Sequence, residues 1–240
     1  MNIQQMHIEL MQSLDKLNSS AFADLMPEDR DYFLNEAIVR YTKTCYTGNN
    51  PLQAGFEVIQ KRTDDLKTLV VTEFPTITTV TIEENIYKAD LSLLYLDENL
   101  SSLSSNKYWF FIRGRARIVK SGCTSKYINI KIYQHDDLNN TFEDPFKRPT
   151  FNEAVGYFEN GNLYIATING TSIDRVKLSF IRKPIEVKYG SVYPIPTTDV
   201  DCDLPEHTHK EIIQTAVAVA LEIMESIRLQ TEMALKQTIE

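Results

Sequence analysis

The chain of 240 residues contains no apolar run near the roughly 20 residues that a helix needs to cross a bilayer. Its polar start, MNIQQMHIEL, also lacks the apolar segment of a secretory signal. Both absences point to a soluble protein made in a cytoplasm, with no membrane partner. Cysteine is scarce: Cys45, Cys123 and Cys202 are odd in number and far apart, which excludes a disulfide framework and a CxxC zinc or redox motif. Glycine is scarce as well, with eight residues and no Gly-rich cradle for phosphate. Neither a GxSxG elbow nor a Cys/His pair in a catalytic context occurs. A fold can bring distant residues together, so these absences lower the expectation of an enzyme rather than exclude one. Positive charge is in deficit, at a net −8, so any contact with nucleic acid must come from a local basic patch.

What is present is a change of period along the chain. Apolar residues recur at helical steps over 2–17, 27–44 and 56–71. Pro27, Glu28 and Asp29 mark the start of the second helix, whose inward stripe is read as Tyr32, Phe33, Ala37, Val39 and Tyr41. The period then shortens to two. Strands are predicted over 77–82, 108–120, 127–134, 155–158, 163–168 and 175–181, with 91–96 open between strand and helix. In the strongest strand, Tyr108, Phe110, Ile112, Ala116 and Ile118 point one way, against Trp109, Phe111, Arg113, Arg115 and Arg117. Asn160-Gly161 predicts a tight hairpin turn. A proline-rich connection then leads to a long helix over 204–228.

That closing helix is unusually apolar. Ile212, Ile213, Ala216, Val217, Ala220 and Leu221 form its face, and Ala218 and Val219 widen it. A face this wide needs cover on two sides. The N-terminal helices can supply one, which leaves Ala218 and Val219 as candidates for the interface with a neighbouring copy. The fold class is α+β: a helical layer from the N-terminal helices and the long C-terminal helix, with a β-rich, antiparallel, sandwich-like middle. The parts expected are 1–72, 73–200 and 201–240.

Few clusters carry chemistry. Asp199, Asp201 and Asp203 resemble the start of a calcium loop, but Leu204 stands where that loop needs glycine and Lys210 where it needs a bidentate acid. Cys202, His207 and His209 have metal-ligand chemistry but no second spaced pair, so no metal site is assigned. Arg113, Arg115 and Arg117 are the most unusual feature, because three guanidinium groups on one strand face repel unless anions lie opposite. They can face DNA phosphates, as a nucleic-acid-binding module would. They can instead bridge to acids of this chain or of a neighbouring subunit, the reading that the net charge of −8 favours. Lys147, Arg148, Arg182 and Lys183 are candidates to extend that channel-lining or subunit-interface surface.

Six segments, among them PEDRDYFLNEAIVRY (27–41), FFIRGRARIV (110–119), QHDDLNNTFEDPFKRPT (134–150) and LPEHTHKEIIQTAVAVALEIMESIRLQT (204–231), resemble the tail ring proteins of crAss-like tailed bacteriophages. FEVIQKRTDDLKTLV (56–70) and IRKP (181–184) complete the set, in the same order along most of the chain. The resemblance implies a non-enzymatic virion component at the head-to-tail connection, assembled in the host cytoplasm. It implies a homo-oligomeric ring, of twelve copies, beside the portal or other ring proteins, around a channel through which double-stranded DNA is ejected. It implies no catalytic, cofactor or metal residues.

Overall fold

The computed structural model describes residues 1–18, 25–48, 55–80, 85–91, 107–120, 122, 124–190 and 198–223. In chain order its elements are α1 (Ile3–Asn18), α2 (Pro27–Thr47), α3 (Gln60–Leu66), β1 (Val70–Glu73), β2 (Thr76–Thr79), β3 (Ile86–Asp90), β4 (Tyr108–Val119), β5 (Lys126–Ile132), α4 (Leu138–Glu143), β6 (Glu153–Glu159), β7 (Asn162–Ala166), β8 (Ser172–Arg182) and α5 (His209–Ile223). Short 3-10 turns at His135–Asp137 and Glu206–Thr208 lead into α4 and α5. The class is α+β, as expected. The chain forms two compact units: Met1–Leu69 with Pro184–Glu240, and Val70–Lys183.

In the helical unit, α5 packs on both α1 and α2. Ile212, Ala216, Ala220 and Leu221 are fully buried against a stripe of Ile3, Met6, Leu10 and Leu14 on α1 and Leu34, Ala37 and Ile38 on α2. Each large side chain so buried stabilises the unit by roughly 1.5–3 kcal/mol. The wide apolar face therefore finds its two-sided cover inside the chain. Pro27 opens α2, with the Met26 N–H donating to Asp29 Oδ2 at 3.2 Å, and Gly48 (φ 73°) ends it in the left-handed conformation, donating to the Thr44 carbonyl. The inward stripe of α2 differs from the expected one: Tyr32 is 58% exposed, while Asp31, Leu34, Ile38 and Cys45 turn inward. Asp31 draws the helix round, since it meets His7 Nε2 at 2.7 Å and accepts the Tyr189 N–H at 3.0 Å. The predicted third helix is also shorter. It stops at Leu66, and the β-branched Val70, Val71 and Thr72 enter a strand.

The second unit is one eight-stranded, curled sheet in the order β1-β8-β4-β5-β6-β7-β3-β2. All neighbours are antiparallel except β5 and β6, whose parallel pairing needs the crossover that α4 and its flanking loops supply. The curl follows from connectivity. β1 and β2 are the two edges of the sheet, yet only Phe74 and Pro75 separate them. A flat sheet would put these edges about 34 Å apart, across seven gaps of ~4.8 Å. Two residues reach only about 10 Å between the strands they join. The sheet must close on itself, and β2 indeed runs beside β8.

Ile118, Ile128, Ile130, Leu163, Ile165, Val176, Leu178 and Phe180 fill the interior, together with Ala89, Ala116 and Ala154. The Asn160-Gly161 hairpin joins β6 and β7 as predicted, with φ of 48° and 71°. The expected pairing of the 108–120 and 127–134 strands is also present, as β4 with β5. Strand β3 was not foreseen. Most of 91–96 lies outside the described residues, as do Cys123 and the helix beyond 223.

Candidate functional site

β4 is long enough to cross the whole sheet, and its alternation sets what faces outward. Gly114, Ala116 and Ile118 are buried, so Arg113, Arg115 and Arg117 stand on the outer face. The first half of the strand departs from simple alternation. Register shifts between Tyr108 and Phe110, and between Phe111 and Arg113, change the phase. Phe111 and Tyr108 consequently pack on the core, and Trp109 stacks on Phe110 at 4.5 Å.

The pairing partners of β4 make the basic face larger than the three arginines. Arg115 lies directly opposite Lys177 of β8, and Arg117 opposite Arg175. Like charges directly opposite destabilise a sheet. Relief inside the chain is small: Arg117 reaches Asp174 at 3.4 Å and Ser125 Oγ at 2.9 Å, and Arg175 lies over the Phe74 ring at 5.9 Å. Arg113, Arg115 and Lys177 have no ion pair or hydrogen bond among the described residues. On the next strand Lys131 meets Glu153 at 2.6 Å, a bond that raises the lysine's pKa. Arg175 and Lys177 escaped the sequence reading because nothing in a single strand reveals which residues lie across from it.

The other candidate cations do not join this patch. Arg148 lines an open cleft of about 750 Å³ with Asn85, Asn139, Phe142, Thr167 and Asn169. Beside it, Asp144 caps a turn that holds Lys147 exposed and Phe146 almost wholly in solvent, at 95%. Arg182 pairs in register with Tyr108, at the end of β4 remote from Arg117, and the Lys183 N–H donates to the Lys107 carbonyl.

In the helical unit the expected interface pair separates. Val219 is 1% exposed and belongs to the chain's own core, whereas Ala218 is half-buried on the stripe of α5 that also carries Gln214 and Glu222. The reason is the cover by both α1 and α2, which leaves a stripe one residue wide.

Cys202, His207 and His209 do not converge. His207 Nε2 meets Asp65 at 2.9 Å, and His209 Nε2 donates to the Leu204 carbonyl at 3.0 Å. Burial holds the His209 pKa below the usual imidazole value and pushes the Cys202 thiol up to about 11. The aspartates next to them are structural ties: Asp199 accepts the Gly190 N–H, Asp201 the Ile3 N–H and Asp203 the Ile185 N–H. A second polar group is buried at the joint of α2 and α3. There Arg62 approaches Asp65 at 3.6 Å and Cys45 Sγ at 3.5 Å, and burial raises the Cys45 thiol to about 11. A thiol kept protonated is a poor nucleophile.

The geometry on β4 and β8 is thus a charged surface. Comparison of the whole sequence gives it a context: residues 1–232 match the family model described as phage tail ring protein 3/4. The chain belongs to that family. It is a structural protein of the tail ring of a crAss-like phage, and a component of the virion tail. No curated protein matches the chain. The ring protein's described helices include none long and apolar enough to cross a membrane.

Proposed function

We propose that the chain is a non-catalytic ring subunit of the short phage tail. Copies of it close into a ring, twelve in number by the resemblance, stacked with other ring proteins below the portal around the channel for genome ejection. The observation that carries this reading is the family match over residues 1–232. The physical features agree with it. The curled sheet has two short edges, and the helical unit is covered from within, so each unit is compact by itself. The net charge of −8 suits a conduit that must let DNA pass, because a basic wall would retain phosphates electrostatically.

The test is the mass of the purified full-length protein, alone and with neighbouring ring proteins, followed by electron microscopy of the virion tail. A multiple of the chain mass and a ring in projection are the expected results. A stable monomer that is absent from particles overturns the reading.

Arg113 and Arg115, which have no ion pair among the described residues, also favour a second reading, in which this face contacts the passing DNA duplex. Salt-dependent duplex binding that is lost on neutralising Arg113, Arg115 and Arg117 would support it.

A further inference from the structure

Charge is divided unevenly between the two units. The β unit holds 14 Lys and Arg against 13 Asp and Glu, whereas the helical unit holds 11 against 20. The helical unit therefore carries −9 and the β unit +1, while the outer face of β4 and β8 gathers Arg113, Arg115, Arg117, Arg175 and Lys177 with one acid, Asp174, in contact among the described residues. A ring needs such asymmetry. A head-to-tail contact joins two different patches of the same chain, so each subunit must carry both complements.

The acidic complement has a matching spacing. Asp199, Asp201 and Asp203 stand at alternate positions of an extended segment that forms an antiparallel bridge, Val200 with Lys188. Asp199 and Asp201 are exposed, each has one oxygen on a backbone N–H, and neither has a Lys or Arg partner among the described residues. Alternate residues of an extended chain are about 7 Å apart, on the aspartate segment as on the β4 face. The exposed carboxylates of Asp199 and Asp201 can therefore meet two of the guanidinium groups in register.

Resting on the ring reading above, we propose that the arginine ladder of β4 docks against the exposed Asp199 and Asp201 of a second copy of this chain. The contact is head-to-tail, and it relieves the like-charge pairs Arg115 with Lys177 and Arg117 with Arg175. A second copy fits this face better than a DNA duplex, because the chain itself supplies the missing anions at the same repeat. Charge complementarity of this kind fixes register and partner choice more than raw affinity.

The experiment uses the protein and two charge-reversed forms, Arg113→Glu/Arg115→Glu and Asp199→Lys/Asp201→Lys. Each is checked for native circular dichroism and melting, then for assembly by mass photometry at low and high salt. Wild type should assemble, and added salt should weaken it. Each variant alone should self-associate at least about tenfold more weakly, since like charges are then juxtaposed. An equimolar mixture of the two should assemble again, because alternating copies restore opposite charges at every contact. If the aspartate variant fails to fold, the arginine variant, whose substitutions sit on an exposed sheet face, carries the test alone. Wild-type assembly that the arginine variant forms equally well overturns the docking while leaving the ring reading intact. A wild-type chain that is monomeric at every salt concentration, alone and with its neighbouring ring proteins, overturns both. Unchanged assembly together with loss of binding to a short DNA duplex assigns the face to DNA and overturns the proposal.

Discussion

Ile130 occupies the space that a side chain on Gly156 would need: a Cβ built there would lie 2.6 Å from Ile130 Cγ2. On the other side, a Cβ on Gly114 would lie 3.1 Å from Ile130 Cδ1. The two glycines flank β5 from β4 and β6, so one large side chain is accommodated by two absent ones. Gly156→Ala should destabilise the protein by about 1–3 kcal/mol through overpacking. Ile130→Ala alone should cost about 2–5 kcal/mol by leaving a cavity. The double variant should lose clearly less than the sum, read from urea unfolding. Additive losses would break the proposed link.

Val219 and Ala218 are neighbours in sequence with opposite surroundings on α5. Val219→Lys buries an unpaired ammonium and should abolish the native melting transition. Ala218→Lys, on the half-exposed stripe, should change stability by no more than about 0.5 kcal/mol. Thermal melting followed by circular dichroism separates the two. Equal loss at both positions would show that α5 is covered all round.

Asp65 is fully buried and lies 3.6 Å from the guanidinium of Arg62, itself 3% exposed. Asp65→Ala takes the carboxylate from a buried charge and should cost about 3–5 kcal/mol. His207 meets the same carboxylate but is 51% exposed, so His207→Ala should cost less than about 1 kcal/mol. Similar losses in the two variants would mean that the histidine, not the arginine, holds the carboxylate.

His209 gives a pH dependence of defined sign. Its Nε2 donates to the Leu204 carbonyl, and its Nδ1 is buried with no hydrogen-bond partner among the described residues, so protonation would bury a charge. The folded pKa is depressed by that burial, whereas the unfolded value is about 6.5. Between the two values the unfolded chain binds more protons, so stability is complete above about pH 6.5 and falls as the pH drops towards the folded value. His209→Gln keeps a donor but cannot charge. The difference in unfolding free energy between wild type and this variant should shrink as the pH falls from about 7.5 to 5.5. A difference that does not change with pH would exclude this contribution.

Cys45 and Cys202 both have thiols raised to about 11, chiefly by burial. At neutral pH their thiolate fraction is on the order of 100-fold below that of an open thiol. Alkylation followed by mass spectrometry should find both slow in the native protein and fast in denaturant. Rapid native labelling of Cys45 would show that the joint of α2 and α3 opens readily.

The α+β class, the hairpin at Asn160-Gly161 and the core role of the closing helix were all legible in the sequence, because each is written in local period or turn chemistry. Long-range facts were not. Whether Tyr32 or Leu34 faces inward on α2 depends on Asp31 being drawn to His7 and Tyr189. That Phe111, not Phe110, reaches the core depends on register shifts visible only against β8. The basic face was legible as three arginines. Its enlargement by Arg175 and Lys177 required knowing that β8 lies next to β4. The burial of Val219 follows a related logic: an apolar stripe shows that cover is needed, not which element provides it.

The division of the helical unit between the two ends of the chain has a consequence for the order of synthesis. Residues 70–183 are continuous and can fold as soon as they leave the ribosome. The stripes of α1 and α2 must wait for α5 (His209–Ile223), so they stay uncovered until the whole sheet has been translated. During that interval the nascent chain presents Met6, Leu10, Leu14, Leu34 and Ile38 to whatever it meets. Truncation before α5 should therefore yield insoluble protein even though every strand of the sheet has been made.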